Sequence, residues 1–468
     1  MSVGAAPDWR GDVRRLLATP GARVHMLGAG GIGMAGLAHL LAGLGQRVDG
    51  CDRGVPRTVD WLKAGGIEVA AGHDPAHLEG ADWAVFSPAV GPENPERMMA
   101  ERMGLPLYRR GQVLAVLAER WRTLAVAGSH GKTTTAAMIA HIMRARGTGV
   151  SWCVGGELAP DNAPAGLGSG EWLVAEADES DGTLALYEPE LAVITNIEFD
   201  HMEYFGEEAE LVACFEEFAR RAGGVVAGAD DAEAARLGRA VGATLFGFGA
   251  GADVRAEELV AEANGTRFRL CWAGGGVGAW LPVTGRHNVL NALAAVAACR
   301  HMGVEPAAAV AALATFRLPR RRFELVAAAG GLRVVADYAH HPAEIRALIE
   351  ATRQAGAERI WAVFQPHRYT RTQMLGAQFP AAFAGVAGVI LLPVYAASEE
   401  PLPGGREQDL LAHFERQGGG AVELAADLEE AAERVAARWQ DGDWVLVIGA
   451  GDVEALGPML KERLSRAR

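Results

Sequence analysis

Lysine is almost missing from this chain of 468 residues: Lys63, Lys132 and Lys461 stand alone, although lysine and arginine together number 44. A compositional preference for arginine accounts for the scarcity, and it leaves Lys132 isolated in a long lysine-free stretch. Cysteine is sparse too. Cys51, Cys153, Cys214, Cys271 and Cys299 lie far apart with no CxxC pair. That spacing argues against a disulfide framework or a zinc site and for a reducing compartment. No apolar run approaches the ~18 residues of a membrane helix, and the start, "MSVGAAPDWRGDVRRLL", carries charges throughout, with no apolar signal-peptide region. The expectation is a cytoplasmic protein with no membrane partner. Basic stripes are absent as well. With a formal charge of −14 and a pI near 5.5, nucleic acid is not an expected partner.

What is present is apolar residue in quantity. Half of the chain is hydrophobic and mean hydropathy is +0.08, enough for large buried cores. The length suits about three domains. Short apolar runs alternate with amphipathic stretches, which predicts an α/β fold of mostly parallel sheets with helical crossovers. "ARVHMLG" and "DWAVFSPAV" read as buried strands, and Met34, Leu37, Leu41 and Leu44 recur at helical spacing before a stop at Gly45. A second unit opens with "TLAVAGSHGKTTTAAMIAHIMRARG", followed by strands in "EWLVAEAD", "LAVITNI" and "GGVVAGA". An Asn264-Gly265 turn between two alternating stretches predicts a small antiparallel addition. A third unit carries strands in "LRVVADY", "RIWAVFQ", "GVILLPV" and "WVLVIGA". The expected domains are 1–120, 121–318 and 319–468. No repeat with a period of about 20–50 residues interrupts this plan.

Two glycine loops carry the chemistry. In "HMLGAGGIGMAGLAHLL", Gly28, Gly30 and Gly33 fit G-x-G-x-x-G, with Asp52 about where a ribose-binding acid would sit. In "AGSHGKTTT", Gly128, Gly131, Lys132 and Thr133 stand between a strand and a helix, the layout of a phosphate cradle, although Val126 replaces the first glycine of the strict pattern. "VAEADESD" places Glu176, Asp178, Glu179 and Asp181 after one apolar run, and "TNIEFDHM" places Asp200 and His201 after another. Acids at such strand ends suit magnesium beside a nucleotide, or form a solvated acidic loop. Asn288 and Asn291 in "GRHNVLNALAA" either read a purine or cap a helix. His340, His341, His367, Arg368 and Arg371, in "DYAHHPAE" and "FQPHRYTRT", concentrate cations suited to carboxylate or phosphate.

Taken in order, these segments, with "RRRFE" and "VYAASEEPLPG", resemble the Mur ligases of bacterial cell-wall synthesis along nearly the whole chain. The resemblance implies a Rossmann-like N-terminal domain for a UDP-sugar, a P-loop-type central domain for ATP, and a Rossmann-like C-terminal domain for an amino acid. It implies ATP and Mg2+ as cofactors, and UDP-N-acetylmuramate and L-alanine as substrates. By the same likeness, Gly128, Ser129, His130, Gly131, Lys132, Thr133 and Thr134 take ATP phosphates, with Thr133, Glu176 and His201 on magnesium. His287, Asn288, Asn291, Arg322, Asp337 and Tyr338 belong to the nucleotide site. Gly28, Ala29, Gly30, Gly31, Ile32 and Gly33 take the UDP diphosphate, with Asp52, His73 and Ser87 nearby. His340, His367, Arg368 and Arg371 receive the amino acid and the reacting carboxylate, and His201 or His340 stands for the base.

Two departures mark the chain. Ala336-Asp337 replaces the pair of acids the family often has, and no central lysine other than Lys132 exists for the carbamoylated lysine of relatives that add later residues. The second departure favours the alanine-adding type. Rival readings are a relative that attaches a tripeptide, a nicotinamide-dependent oxidoreductase resting on the first glycine loop, and a non-catalytic nucleotide-binding module. Substrate sites on separate domains imply closure on binding, and a monomer or homodimer is expected.

Overall fold

The computed structural model describes residues 8–54, 56–199, 204–329, 331–397, 399–418 and 420–466. The chain separates into two compact units. The first comprises 1–257, 270–277 and 290–316, and the second 258–269, 278–289 and 317–468.

Five parallel strands open the first unit: β1 (Arg23–Leu27), β2 (Arg47–Asp52), β3 (Glu68–Ala71), β4 (Trp83–Phe86) and β5 (Leu107–Arg109). Their order is β3-β2-β1-β4-β5, so the chain reverses its direction of travel at β1. Doubly wound sheets open a ligand crevice at such a switch point. The following helix, Ile32–Gly43, is apolar all round, and Met34, Ala35, Leu37, Ala38, Leu40 and Leu41 are buried. A helix of that composition needs cover on more than one side. One side packs on β2 and the other on two strands of the next sheet.

That next sheet has ten strands: β6 (Arg122–Ala127), β7 (Ser151–Leu158), β8 (Ala163–Gly166), β9 (Trp172–Glu176), β10 (Leu191–Ile194), β11 (Val225–Gly228), β12 (Thr244–Gly247), β13 (Val254–Glu262), β14 (Gly265–Trp272) and β15 (Gly275–Leu281). Their order is β15-β14-β13-β12-β11-β10-β6-β9-β7-β8. β6 is parallel to β9 and β10, and β7 pairs β8 antiparallel. The predicted Asn264-Gly265 turn lies between neighbouring β13 and β14.

In the second unit, β16 (Glu324–Ala329), β17 (Leu332–Asp337), β18 (Ile360–Phe364), β19 (Gly388–Leu391), β20 (Ala421–Leu424) and β21 (Trp444–Ile448) form a sheet ordered β16-β17-β21-β18-β19-β20. Among the described residues of this sheet, only β16 runs antiparallel to its neighbour. Apolar clusters cover both faces, one around Phe364, Phe379 and Phe414 and the other around Val334, Val363 and Val445. Strands buried on both faces explain the unbroken apolar runs in the sequence.

Candidate active site

Parallel pairing aligns the carboxyl ends of three neighbouring strands in the first unit. Val126 of β6 faces Glu176 of β9 and Val193 of β10, so the loops leaving these strands emerge side by side. The segment 128–131 then runs into the helix Lys132–Ala145. The loop after β10 holds it in shape. Ser129 N donates to Asn196 O at 3.1 Å, His130 N to Asn196 Oδ1 at 2.8 Å, and Asn196 Nδ2 back to His130 O at 3.0 Å. Gly131 adopts φ +82°, and a Cβ there would lie 2.5 Å from Asn291 Oδ1. Only glycine satisfies both demands. The backbone N–H groups at the helix start are thereby presented to an anion.

Lys132 folds over this loop. Its Nζ donates to Gly128 O at 2.5 Å and Ser129 O at 3.2 Å, and pairs with Glu179 Oε1 at 2.8 Å. Burial pulls the ammonium down, but Glu179, Asp178 and Glu176 overcome that and hold it above the ordinary lysine range. It stays a cation at any physiological pH. Beside it, Thr133 Oγ1 donates to Glu176 Oε2 at 2.9 Å, and the same oxygen accepts Gly155 N at 2.7 Å. A hydroxyl and a carboxylate side by side are hard oxygen donors, the set that magnesium prefers. Thr134 is buried in the first turn. His201 lies outside the described residues.

The first glycine loop is braced from below. Asp52 Oδ2 accepts Gly30 N at 2.9 Å and Oδ1 accepts Gly54 N at 3.0 Å, while Thr58 Oγ1 donates to Gly30 O. Gly31 precedes the helix that starts at Ile32, and Ala29 is buried. Ser87 follows β4, its N donating to Leu27 O at 3.1 Å. His73 sits deeper, with Nδ1 2.8 Å from Glu96 Oε2. Arg110 was not singled out from the sequence. Its guanidinium lies beside Gly33, where a Cβ would be 3.1 Å from Nη1, and its Nη2 pairs with Asp178 at 3.2 Å. Nothing local in "LYRRGQ" marks it, because tertiary approach alone places it between two loops.

The second unit gathers the remaining residues at the carboxyl ends of its strands, where Asp337, Ile448 and Phe364 are in register. Asp337 Oδ2 accepts Phe323 N at 2.7 Å and Oδ1 accepts Ala339 N at 2.8 Å, tying two loops together. Burial lifts its carboxyl above the usual range, against the pull of Arg322 and these two amides. Arg321 and Arg322 lie over the Tyr338 ring at 4.8 and 5.2 Å. His287 is pushed down to about 4 by burial and by the Arg322 charge. The structure thus brings His287, Arg322, Asp337 and Tyr338 together. Asn288 Nδ2, also in the second unit, donates to Thr284 O at 2.7 Å. Asn291 belongs to the first unit, where its Oδ1 accepts Thr135 Oγ1 at 3.3 Å.

His340 and His367 stand with ring centres 5.8 Å apart, and His367 stacks on Tyr395 at 5.6 Å. Arg371 Nη1 is 3.3 Å from His367 Nδ1, and Arg368 Nη1 is 3.6 Å from Glu399. Burial, then His340, Arg371, Arg368 and Arg321, push the His367 imidazole down to about 2, so it is neutral within a cationic setting. Arg321, Phe323 and Arg368 all have positive φ. Strained backbone of this kind gathers at functional sites. Arg321 lies in "RRRFE" and Tyr395 in "VYAASEEPLPG", but the sequence does not single out either as a site residue, because only the tertiary structure sets them against Tyr338 and His367.

The chain is similar to known proteins along nearly its whole length. Residues 23–122 match the Mur ligase family catalytic domain, 126–299 the Mur ligase middle domain, and 321–451 the Mur ligase glutamate ligase domain. The UDP-N-acetylmuramate–L-alanine ligase of Kineococcus radiotolerans is 43% identical, over 97% of this chain and 97% of that protein. The protein of the same name from Desulforamulus reducens is 38% identical, over 94% and 98%. The crystal structure of the UDP-N-acetylmuramate-alanine ligase of Thermotoga maritima has a TM-score of 0.83 at 27% identity, covering 95% of this chain and all of that one. The chain belongs to the Mur ligase family.

Proposed function

We propose that the chain joins L-alanine to the lactyl carboxylate of UDP-N-acetylmuramate, driven by conversion of ATP to ADP and phosphate, in cytoplasmic synthesis of peptidoglycan precursors. The observation that carries this reading is the pair Lys132–Glu179 and Thr133–Glu176 at the aligned strand ends. Relatives of that name, 38% or more identical along nearly their whole length, support it.

A free carboxylate is a poor acyl donor. In the first step its oxygen attacks the γ-phosphorus, the bond to the β,γ-bridging oxygen breaks, and ADP leaves an acyl phosphate. The neutral amine of L-alanine then adds to the acyl carbon. Collapse of the tetrahedral adduct breaks the C–O bond, releases phosphate, and passes the nitrogen proton to a base. The first step brings two anions together, which demands preorganised positive charge.

Lys132 supplies that charge by turning its ammonium from the loop carbonyls to phosphate oxygens, while Glu179 keeps it protonated. Thr133 and Glu176 would hold magnesium, which draws negative charge from the phosphate oxygens when bound. Gly155 N fixes the Glu176 carboxylate. Arg110, whose guanidinium lies beside Gly33 in the first turn of the helix Ile32–Gly43, would meet the diphosphate or lactyl carboxylate of the sugar nucleotide. His367, Arg368 and Arg371 would take the carboxylate of L-alanine.

The test is interception. Hydroxylamine in place of L-alanine should yield the hydroxamate of UDP-N-acetylmuramate, dependent on ATP. ATP turnover with the sugar nucleotide but no hydroxamate would overturn the two-step scheme.

A further inference from the structure

Beneath the first glycine loop, five side chains meet in the interior, and of these only His73 is assigned to the sugar nucleotide by the family resemblance. His25 lies in β1, Cys51 near the end of β2, His73 and His77 after β3, and Glu96 in the first turn of the helix Pro95–Met103. Register sets His25 opposite Asp49 and Leu27 opposite Cys51, so alternation along the strands turns His25, Asp49 and Cys51 to one face. Glu96 is fully buried. Its Oε1 is 2.6 Å from His77 Nδ1, and its Oε2 is 2.8 Å from both His73 Nδ1 and Cys51 Sγ. His25 Nδ1 is 2.5 Å from Asp49 Oδ1. Its other nitrogen, Nε2, faces Glu96 Oε1 at 3.5 Å and has no hydrogen-bond partner among the described residues. Donor atoms of His25, Cys51, His77 and Glu96 all lie within 4.8 Å of one another.

We propose that His25, Cys51, His77 and Glu96 form a binding site for Zn2+. Two imidazoles, a thiolate and a carboxylate are the donors of four-coordinate zinc, and magnesium, which takes oxygen, is discriminated against. Thiolate and carboxylate together cancel the charge of the ion, so an occupied site buries no net charge. Asp49 on the far nitrogen of His25 is the carboxylate–histidine pairing that orients zinc ligands. The unpartnered Nε2 then has a partner.

Glu96 enters as a carboxylate whose two oxygens already face His77 on one side and His73 and Cys51 on the other. Cys51 must lose its proton: the S–H bond breaks, an S–Zn bond forms, and the proton leaves to solvent. The ion would tie β1, β2, the loop after β3 and the helix Pro95–Met103 together, next to Asp52 that braces the glycine loop. The cysteine spacing that argued against zinc could not reveal this site, because its donors are spread over positions 25–96.

Full-length protein stripped with a chelator and titrated with Co2+ tests the proposal. A single equivalent should produce a near-ultraviolet thiolate-to-cobalt band and strong visible bands, erased by Zn2+ and untouched by Mg2+. Cys51→Ser should lose the thiolate band, and Lys132→Ala should keep it. Asp49→Asn should weaken Co2+ binding about 10–100-fold. His77→Ala, at a partly exposed position, gives a second ligand variant that should fold and bind more weakly than the parent. A folded parent protein without the band, or a band that survives Cys51→Ser, overturns the site. None of these readouts depends on ligase activity.

Discussion

Lys132 is held between loop carbonyls and the Glu179 carboxylate, so removing it does two separable things. Lys132→Ala should abolish ADP formation while UDP-N-acetylmuramate still binds by calorimetry. Loss of both would mean that the two glycine loops have exchanged roles. The same change leaves Glu179, 1% exposed in its side chain, without its cation. Breaking a buried pair in this way costs about 3–5 kcal/mol, which a lowered denaturation midpoint should report. Thr133→Val removes the hydroxyl beside Glu176 and keeps the shape. It should raise the magnesium concentration for half-maximal rate by about 10-fold or more, and an unchanged requirement would remove Thr133 from the metal site. At the other end of the chemistry, Arg371→Met should raise KM for L-alanine and leave KM for ATP near its original value.

Among the elements, the phosphate loop was legible because glycine, lysine and threonine between an apolar strand and a helix have few other uses. Its bracing was not. Asn196 clamps His130 from a loop separated from it by dozens of residues, and only the β6–β10 pairing brings the two together. Gly131→Ala should destabilise by about 1–3 kcal/mol through its left-handed backbone and the approach of Asn291. Equal denaturation midpoints would show that the loop can yield. Long apolar strands such as β17, β18 and β21 announced themselves. β8 (Ala163–Gly166) and β20 (Ala421–Leu424) did not, being short and mixed in character, with pairing set by their neighbours. Arg110 and the His25–Cys51–His77–Glu96 cluster were hidden for a related reason, since each depends on segments distant in sequence.

At the scale of the whole molecule, pH enters through imidazoles kept neutral by the fold. His287 has a folded value of about 4 against an ordinary 6.5. The unfolded chain therefore binds a proton first as pH falls. This stabilisation is complete above pH 6.5 and is lost progressively down to about 4. Denaturant midpoints should fall with pH across that window in the parent protein, and less steeply in His287→Gln. Parallel curves would place the acid sensitivity elsewhere.

The central claim is that the first glycine loop serves a sugar nucleotide and the second serves ATP in one ligation. ADP release, measured with ATP, magnesium and UDP-N-acetylmuramate against a panel of amino acids, addresses it most directly. The expected result is turnover that requires all the components and is fastest with L-alanine. Turnover indifferent to L-alanine, or none with the complete mixture, would contradict it.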